Sequence, residues 1–276
     1  MKSEKVNITA TISAVVIAVL FILPAVWILG GSFRPSAEIF GSLHPLGWRS
    51  LVPTSPSLDN YTNLLAGGFS RALMNSFVVC VASVVLGLML STFASYALSV
   101  FNFRFRNAAF AFIVVSFMIP FEAVAIPLST QFADWNINNT YMALILPGIG
   151  NGLAIFNLRQ HFLSVPSSYR EAARVDGAGE MRILGQIYVP LSGAALSNSA
   201  LLIFLGQWGA YLWPLLATSS KELEVAPIAL AGLVGEHETN FGQQFAGAVL
   251  LSLIPAVLLY LLQRFFGGLS VSSGEK

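Results

Sequence analysis

Residues Thr9 to Gly30 read TATISAVVIAVLFILPAVWILG, a run without one charged side chain. A bilayer core about 30 Å thick is crossed by about 20 mostly apolar helical residues. A surface helix of a soluble domain of this length would instead show a charged or polar face. The same reading extends along the chain to Asn75–Val100, Ala108–Leu128, Thr140–Leu158, Pro190–Leu216 and Phe245–Phe266. The third of these is interrupted by Pro120, Glu122 and Pro127. None shows the period-two alternation of a membrane barrel strand. The expected fold is therefore all-α: a polytopic membrane protein with about six transmembrane helices in a single domain, 1–276.

Composition agrees. Of the 276 residues 55% are hydrophobic and 10% charged, where a soluble domain carries about 25% charged residues. Mean hydropathy is +0.73. A formal net charge of +1 offers no basic footprint for nucleic acid. Cys80 is the single cysteine, which excludes an intrachain disulfide and a cysteine-held metal. His44, His161 and His237 stand in different loops without metal-ligand spacing, so no metal site is expected, and no catalytic constellation is visible. The first run is longer than a signal-peptide core and lacks a small-x-small cleavage site, so it reads as an uncleaved helix.

Charge sets the expected orientation. With the N-terminus inside, Lys2, Lys5, Arg104, Arg106, Arg159, Arg170, Arg174, Arg182, Arg264 and Lys276 fall on the cytoplasmic side, and only Arg34, Arg49, Arg71 and Lys221 outside. That asymmetry follows the positive-inside rule and puts both termini in the cytoplasm. The first outer loop, residues 31–74, carries Pro35, Pro45, Pro53 and Pro56 and is expected to hold little regular structure. The outer loops Gln131–Asn139 and Thr218–Gln244 read as short caps.

The cytoplasmic loop 159–189 is the segment with chemical content. Pro166 suits a helix start, Ser168 and Glu171 have capping-box spacing, and Gly177 suits a helix end, which predicts a short helix over Ser167–Asp176. A second helix is expected from near Gly179 towards Pro190. Ala172 and Ala173 would let another protein approach the backbone, with Glu171, Arg174 and Asp176 as a polar rim. Taken alone, these residues fit better a purely structural loop, with Glu171 capping its own helix, Ala172 and Ala173 as helix formers and Gly177 as a turn, than a docking surface.

Glu171-Ala172-Ala173, then Gly177, then Ile187 and Pro190 resemble the EAA loop of ABC importer permeases, in the carbohydrate-uptake (maltose-type) branch. Asn139-Thr140-Tyr141, Leu158-Arg159-Gln160 and Val165-Pro166 lead into the loop in that branch's style, and Phe204-Leu205-Gly206-Gln207-Trp208 follows it. The resemblance runs from Leu58 to Arg264. It implies a subunit of the bacterial or archaeal plasma (inner) membrane that imports a sugar or sugar-like solute by alternating access. The coupling-helix loop would carry the ATPase contact through Glu171, Ala172, Ala173, Arg174, Asp176 and Gly177. Implied partners are a second, non-identical permease, an ATPase dimer and an external solute-binding protein. The chain has no Gly-x-x-x-x-Gly-Lys-Ser/Thr loop, so it cannot bind ATP in the usual way; a transport subunit and not an enzyme is expected, with ATP and Mg on the ATPase.

Where the family often has Trp-Asn-Glu-Phe, this chain has Trp208-Gly209-Ala210-Tyr211, and the closing Gly267–Lys276 is similar to the family's tail only loosely. Candidates for the solute path or gate are Glu122, Asn151, Asn198, Gln207, Trp208 and Tyr211. Glu122 reads as a gate contact, as a proton site, or as an acid held by polar neighbours. The amides of Asn75, Asn151, Asn157, Asn198 and Gln207 suit a polyhydroxylated solute, and equally suit hydrogen bonds between helices. Trp208 and Trp213 read as stacking platforms or interface anchors. Two further functions fit less well: import of a glycerol phosphate compound, and an ion-coupled carrier using Glu122.

Overall fold

Prolines and glycines, rather than loops, set where the long apolar runs of this chain break. A computed structural model describes residues 8–41, 47–235 and 239–266; Lys2, Lys5, His44, His237 and the tail from Gly267 lie outside them. In chain order the helices are α1 (Ile8–Ser32), α2 (Ser36–Gly41), α3 (Asp59–Leu64), α4 (Ser70–Val100), α5 (Arg106–Met118), α6 (Phe121–Asp134), α7 (Tyr141–Ile149) and α8 (Gly152–Ser164). They continue as α9 (Ser167–Val175), α10 (Glu180–Ile183), α11 (Val189–Leu191), α12 (Gly193–Trp208), α13 (Leu212–Ala217), α14 (Ala226–Ala231) and α15 (Phe241–Phe266). Among the described residues there is no named strand, only an isolated bridge between Val234 and Thr239.

Among the described residues four helical runs are long and apolar enough to cross a membrane: Ile8–Ser32, Asp59–Val100, Tyr141–Ser164 and Phe241–Gln263. Two bent pairs bring the total to six if each is one span. The first pair falls on the expected span Ala108–Leu128 and breaks it at the Pro120 interruption: α5 and α6 meet at 95°. Ile119 is extended (φ −69°, ψ 124°) because Pro120 follows it and disfavours the helical region. The second pair, Glu180–Leu191 with Gly193–Trp208, bends by 86°. The expected span Pro190–Leu216 is thus three pieces, broken at Ser192 and again at Gly209–Tyr211.

The chain divides into two compact units. The first comprises residues 1–70 and 229–254, and it corrects the expectation of an irregular first outer loop. Asn60 donates its amide to the carbonyls of Ser32 (2.8 Å) and Arg34 (2.7 Å), and the hydroxyls of Ser32 and Tyr61 pair at 2.7 Å. Gly242 fits against Asn60, 2.6 Å from where a Cβ would stand. Ser36 donates to Asn240 Oδ1 (2.7 Å) and accepts the Gly242 N–H. Order here comes from amides and hydroxyls distant in sequence, which Pro and Ser content does not encode. The 5-residue wide turn Leu65–Phe69, with Gly68 at φ +102°, leads into α4.

The second unit comprises residues 71–228 and 255–276 and has two apolar cores. One gathers Val79, Phe132, Ala143, Leu144, Trp213, Ala217 and Val225. The other gathers Tyr96, Phe162, Ile183, Leu184 and Tyr188. They lie towards opposite ends of α4, which contributes Val79 to one and Tyr96 to the other. Each core holds one of the two sites described below.

Candidate functional site

The predicted loop helix is present as α9, Ser167–Val175, with Asp176 as its C-cap. The start differs from the capping-box reading. Val165 is extended before Pro166, so Pro166 itself takes the N-cap, has no side-chain oxygen to offer, and leaves Ser168 and Glu171 inside the helix. The end is a Schellman motif: Ala178 N–H donates to Ala173 O (2.9 Å) and Gly177 N–H to Arg174 O (3.0 Å). Gly177 has φ +78°. A Cβ there would meet nothing within 4 Å, so what the position demands is backbone conformation and not space.

The two faces of α9 differ. Ser168, Glu171, Ala172 and Val175 share an exposed stripe, Val175 being 88% exposed. Glu171 has no hydrogen-bond or ion-pair partner among the described residues. Arg174 and Asp176 are exposed beside the stripe. Ala173 is half-buried and packs with Ala178 against the Tyr96–Phe162 core. Only Ala172 of the alanine pair therefore presents backbone outward; Ala173 seats the helix.

A carboxylate outside the predicted rim fixes this seat. Glu180, first residue of α10, accepts from Tyr96 Oη (2.6 Å), from Arg170 Nε and Nη2 (3.3 and 3.0 Å) and from Arg174 Nε and Nη2 (2.9 and 2.6 Å). It thereby ties α9, α10 and α4 together. Burial pushes the Glu180 carboxyl up, but the hydrogen bonds from Tyr96, Arg170 and Arg174 and the charge of Arg170 outweigh it and bring the pKa from 4.5 to about 2. Arg170 also lies over the Phe101 ring, 5.6 Å from its centroid. Below the pin, Tyr96 and Tyr188 meet edge to face at 5.0 Å, and Phe162 and Tyr188 at 5.4 Å. The result is a rigid mount with an exposed outer stripe.

In the other core, helix breaks meet around a cavity of about 440 Å³. Phe121 and Glu122 come from the start of α6, Gly150 and Asn151 from the α7–α8 break, and Gly206, Gln207, Gly209 and Ala210 from the end of α12. Pro147, Gly148, Ile203 and Trp213 complete the wall. Gln207 donates to Ser83 Oγ (3.0 Å) and Leu144 O (3.3 Å), and its amide fills the space over Gly148, 2.6 Å from where a Cβ would stand. Asn151 Oδ1 caps α8 through Ala154 N–H (2.9 Å). Glu122 is exposed to the cavity side and sits in the first turn of α6, where the helix dipole favours a carboxylate. The wall carries one acid, two amides and no base.

Residues 83–268 match the family described as binding-protein-dependent transport system inner membrane component. The chain belongs to this family. The permease is 35% identical over 265 residues to an arabinooligosaccharides transport system permease protein of Halalkalibacterium halodurans, covering 95% of this chain and 94% of that one. It is 30% identical over 270 residues to an sn-glycerol-3-phosphate transport system permease protein of Rhizobium meliloti, covering 94% of each. Its fold is that of a chain in the crystal structure of a bacterial ABC transporter involved in the import of the acidic polysaccharide alginate, with TM-score 0.81 at 24% identity, over 96% of this chain and 99% of that one. The protein is thus the membrane permease subunit of an ABC import system, and ATP hydrolysis is carried out by a separate ATPase. Membership of a binding-protein-dependent family removes the ion-coupled carrier from consideration.

The remaining candidates of the permease separate by position. Asn198 is half-buried on α12 and Tyr211 is exposed at the α12–α13 break; neither lines the cavity. Trp208 is buried and stacked on Phe204 at 5.5 Å. Trp213 is buried with its Nε1 donating to Ala143 O (2.8 Å). Neither indole is an interface anchor; both pack in the interior, and only Trp213 borders the cavity. Asn75 donates to Glu222 O and Glu224 O and accepts from Tyr141 Oη, while Asn157 donates to Ala195 O and Ser199 Oγ. For these two amides the interhelical reading holds. Glu180 had a signal in the sequence: Arg170 and Arg174, one helical turn apart, precede it across the Gly177 reversal.

Proposed function

We propose that the permease lies in the bacterial or archaeal plasma membrane with both termini cytoplasmic, and that α9 is the coupling helix that docks on one subunit of an ATPase dimer. Ala172 gives close backbone approach, Glu171, Arg174 and Asp176 rim the contact, and Ala173 and Gly177 shape and seat the helix. ATP and Mg bind the ATPase, and this chain binds no cofactor. A second, non-identical permease completes the path, and an external solute-binding protein delivers the solute. The observation that carries this reading is the unpartnered outer stripe of Glu171, Ala172 and Val175 on a mount fixed by Glu180. A stripe free to bind, on a base that does not yield, transmits closure of a partner as a rigid-body tilt.

We infer that the solute is a sugar or sugar-like polyol and that the cavity of Glu122, Asn151 and Gln207 belongs to its path. A relative that carries arabinooligosaccharides supports this, as does a wall in which acid and amides accept and donate to hydroxyls and the Trp213 and Phe121 rings offer apolar contact. The glycerol phosphate relative keeps a phosphorylated cargo as the second reading, but a phosphate wants cationic partners and this wall has none. Asn198, Trp208 and Tyr211 would act on the path only by shaping α12 and its break.

The test is uptake by proteoliposomes holding the permease with its partner permease and ATPase. Accumulation of a radiolabelled oligosaccharide presented on the binding protein is expected to require ATP inside and to be indifferent to a proton gradient. Uptake driven by the gradient without ATP would overturn the reading.

A further inference from the structure

The turn between α4 and α5 holds a second cleft, about 340 Å³, lined by Asn102, Phe103, Arg104, Arg106 and Asn107. This turn ends the 31-residue apolar helix α4, so it stands at the boundary between hydrocarbon and water. Phe103 and Phe105 are exposed, at 46% and 67%, the placement of aromatic side chains that enter the interfacial layer. Among the described residues neither Arg104 nor Arg106 has a carboxylate partner, and the first turn of α5 carries no acid. Arg104 lies over the Phe105 ring (5.5 Å). Arg106 is held by its Nη1, which donates to Asn102 Oδ1 (3.0 Å) and Phe101 O (3.4 Å); among the described residues its Nε and Nη2 donors and the Asn102 amide N–H₂ have no acceptor. Behind them, Arg159 stands over the Phe110 ring at 3.9 Å and donates its Nε to Leu98 O (3.2 Å). Cations thus gather beside aromatic side chains exposed at the membrane boundary, with no acid paired to Arg104 or Arg106 among the described residues.

The geometry points to a binding site for a phosphate group in this cleft, supplied by the headgroup of an anionic phospholipid. Arg104 and Arg106 pair with the phosphate oxygens, Asn102 and Asn107 donate to the remaining headgroup oxygens, and Phe103 and Phe105 rest against the glycerol and upper acyl chain. A guanidinium fork matches two phosphate oxygens at once. The lipid source is favoured over free phosphate because only a lipid uses the exposed rings.

The experiment is native mass spectrometry of the purified transporter released from nanodiscs of equal phosphatidylglycerol and phosphatidylcholine. Wild type is expected to retain phosphatidylglycerol selectively. Since each basic residue near a lipid surface is worth about a five-fold preference, Arg104→Gln with Arg106→Gln should lower that occupancy by roughly 20- to 30-fold. Arg104→Lys should retain most of it. Lys221→Gln, which removes the same charge from a different loop, should leave it unchanged. Equal loss in Lys221→Gln, or retention in the double variant, would overturn the site. Displacement of the lipid by millimolar inorganic phosphate would overturn the lipid source and assign the cleft to free phosphate.

Discussion

Glu180→Ala lowers ATP-driven uptake by about tenfold or more while the transporter still assembles. The carboxylate takes hydrogen bonds from Tyr96, Arg170 and Arg174, and its removal leaves two guanidinium groups and a buried phenol without their acceptor. Hydrogen bonds to a charged group contribute about 1.5–3 kcal/mol, and those sharing one carboxylate are not additive. A loss of about 2–3 kcal/mol in local opening raises the open population of the loop roughly 30- to 150-fold. Hydrogen exchange of the amides of α9 reads that change directly. The pH dependence has a definite sign. The folded pKa of Glu180, about 2, lies below its ordinary 4.5, so its contribution is complete above about pH 4.5 and is lost as pH falls through about 2. Protection of α9 in wild type should therefore stay flat from neutrality to about pH 4.5 and decline below it, and Glu180→Ala should lack that decline. Normal uptake and normal protection in the variant would show that the mount is held by the aromatic core alone.

Glu171→Lys abolishes coupling for a different reason. Glu171 is exposed and unpartnered, so its replacement changes stability within about 0.5 kcal/mol. On the proposed coupling role of α9, a loss of transport then arises in the contact with the ATPase, where the charge reversal opposes the surface proposed to receive the carboxylate. Uptake is expected to fall about a hundredfold with the permease still in the membrane at wild-type amount. Gly177→Asp is expected to fall comparably, since it adds both a carboxylate at the contact and a side chain at φ +78°. Gly177→Asn separates the two effects. Asparagine tolerates the left-handed region better than other side chains and adds no charge, so this variant should retain uptake within about threefold. Wild-type transport by Glu171→Lys would remove α9 from the coupling route.

The loop helix was legible because local rules decide it: Pro166 stops the preceding helix, and Gly177 takes the one conformation that ends α9. The apolar runs were legible by length. Their breaks were only partly so, because Pro120 announces a break but not a 95° bend, and the breaks at Ser192 and Gly209–Tyr211 lie within an apolar stretch with no charge to mark them. Residues 31–74 misled for the opposite reason. Asn60, Ser36 and Gly242 acquire their roles from partners far along the chain, and composition counts residues without their partners. The same holds for Glu180, whose partners include Tyr96 on another helix. In the cavity, the sequence offered six polar or aromatic candidates of equal standing, and helix geometry brings Glu122, Asn151 and Gln207 to the wall while burying Trp208 against Phe204.

The central claim is that the outer stripe of α9 meets the ATPase. Val175 is exposed on that stripe, and the native thiol of this chain, Cys80, is buried, so Val175→Cys supplies the permease with its one accessible cysteine. In membranes holding the assembled transporter, a short thiol-reactive photo-crosslinker attached at position 175 is expected to join the permease to the ATPase subunit, with a yield that changes when ATP is added. Labelling of that cysteine by a small maleimide without any cross-link to the ATPase would contradict the account.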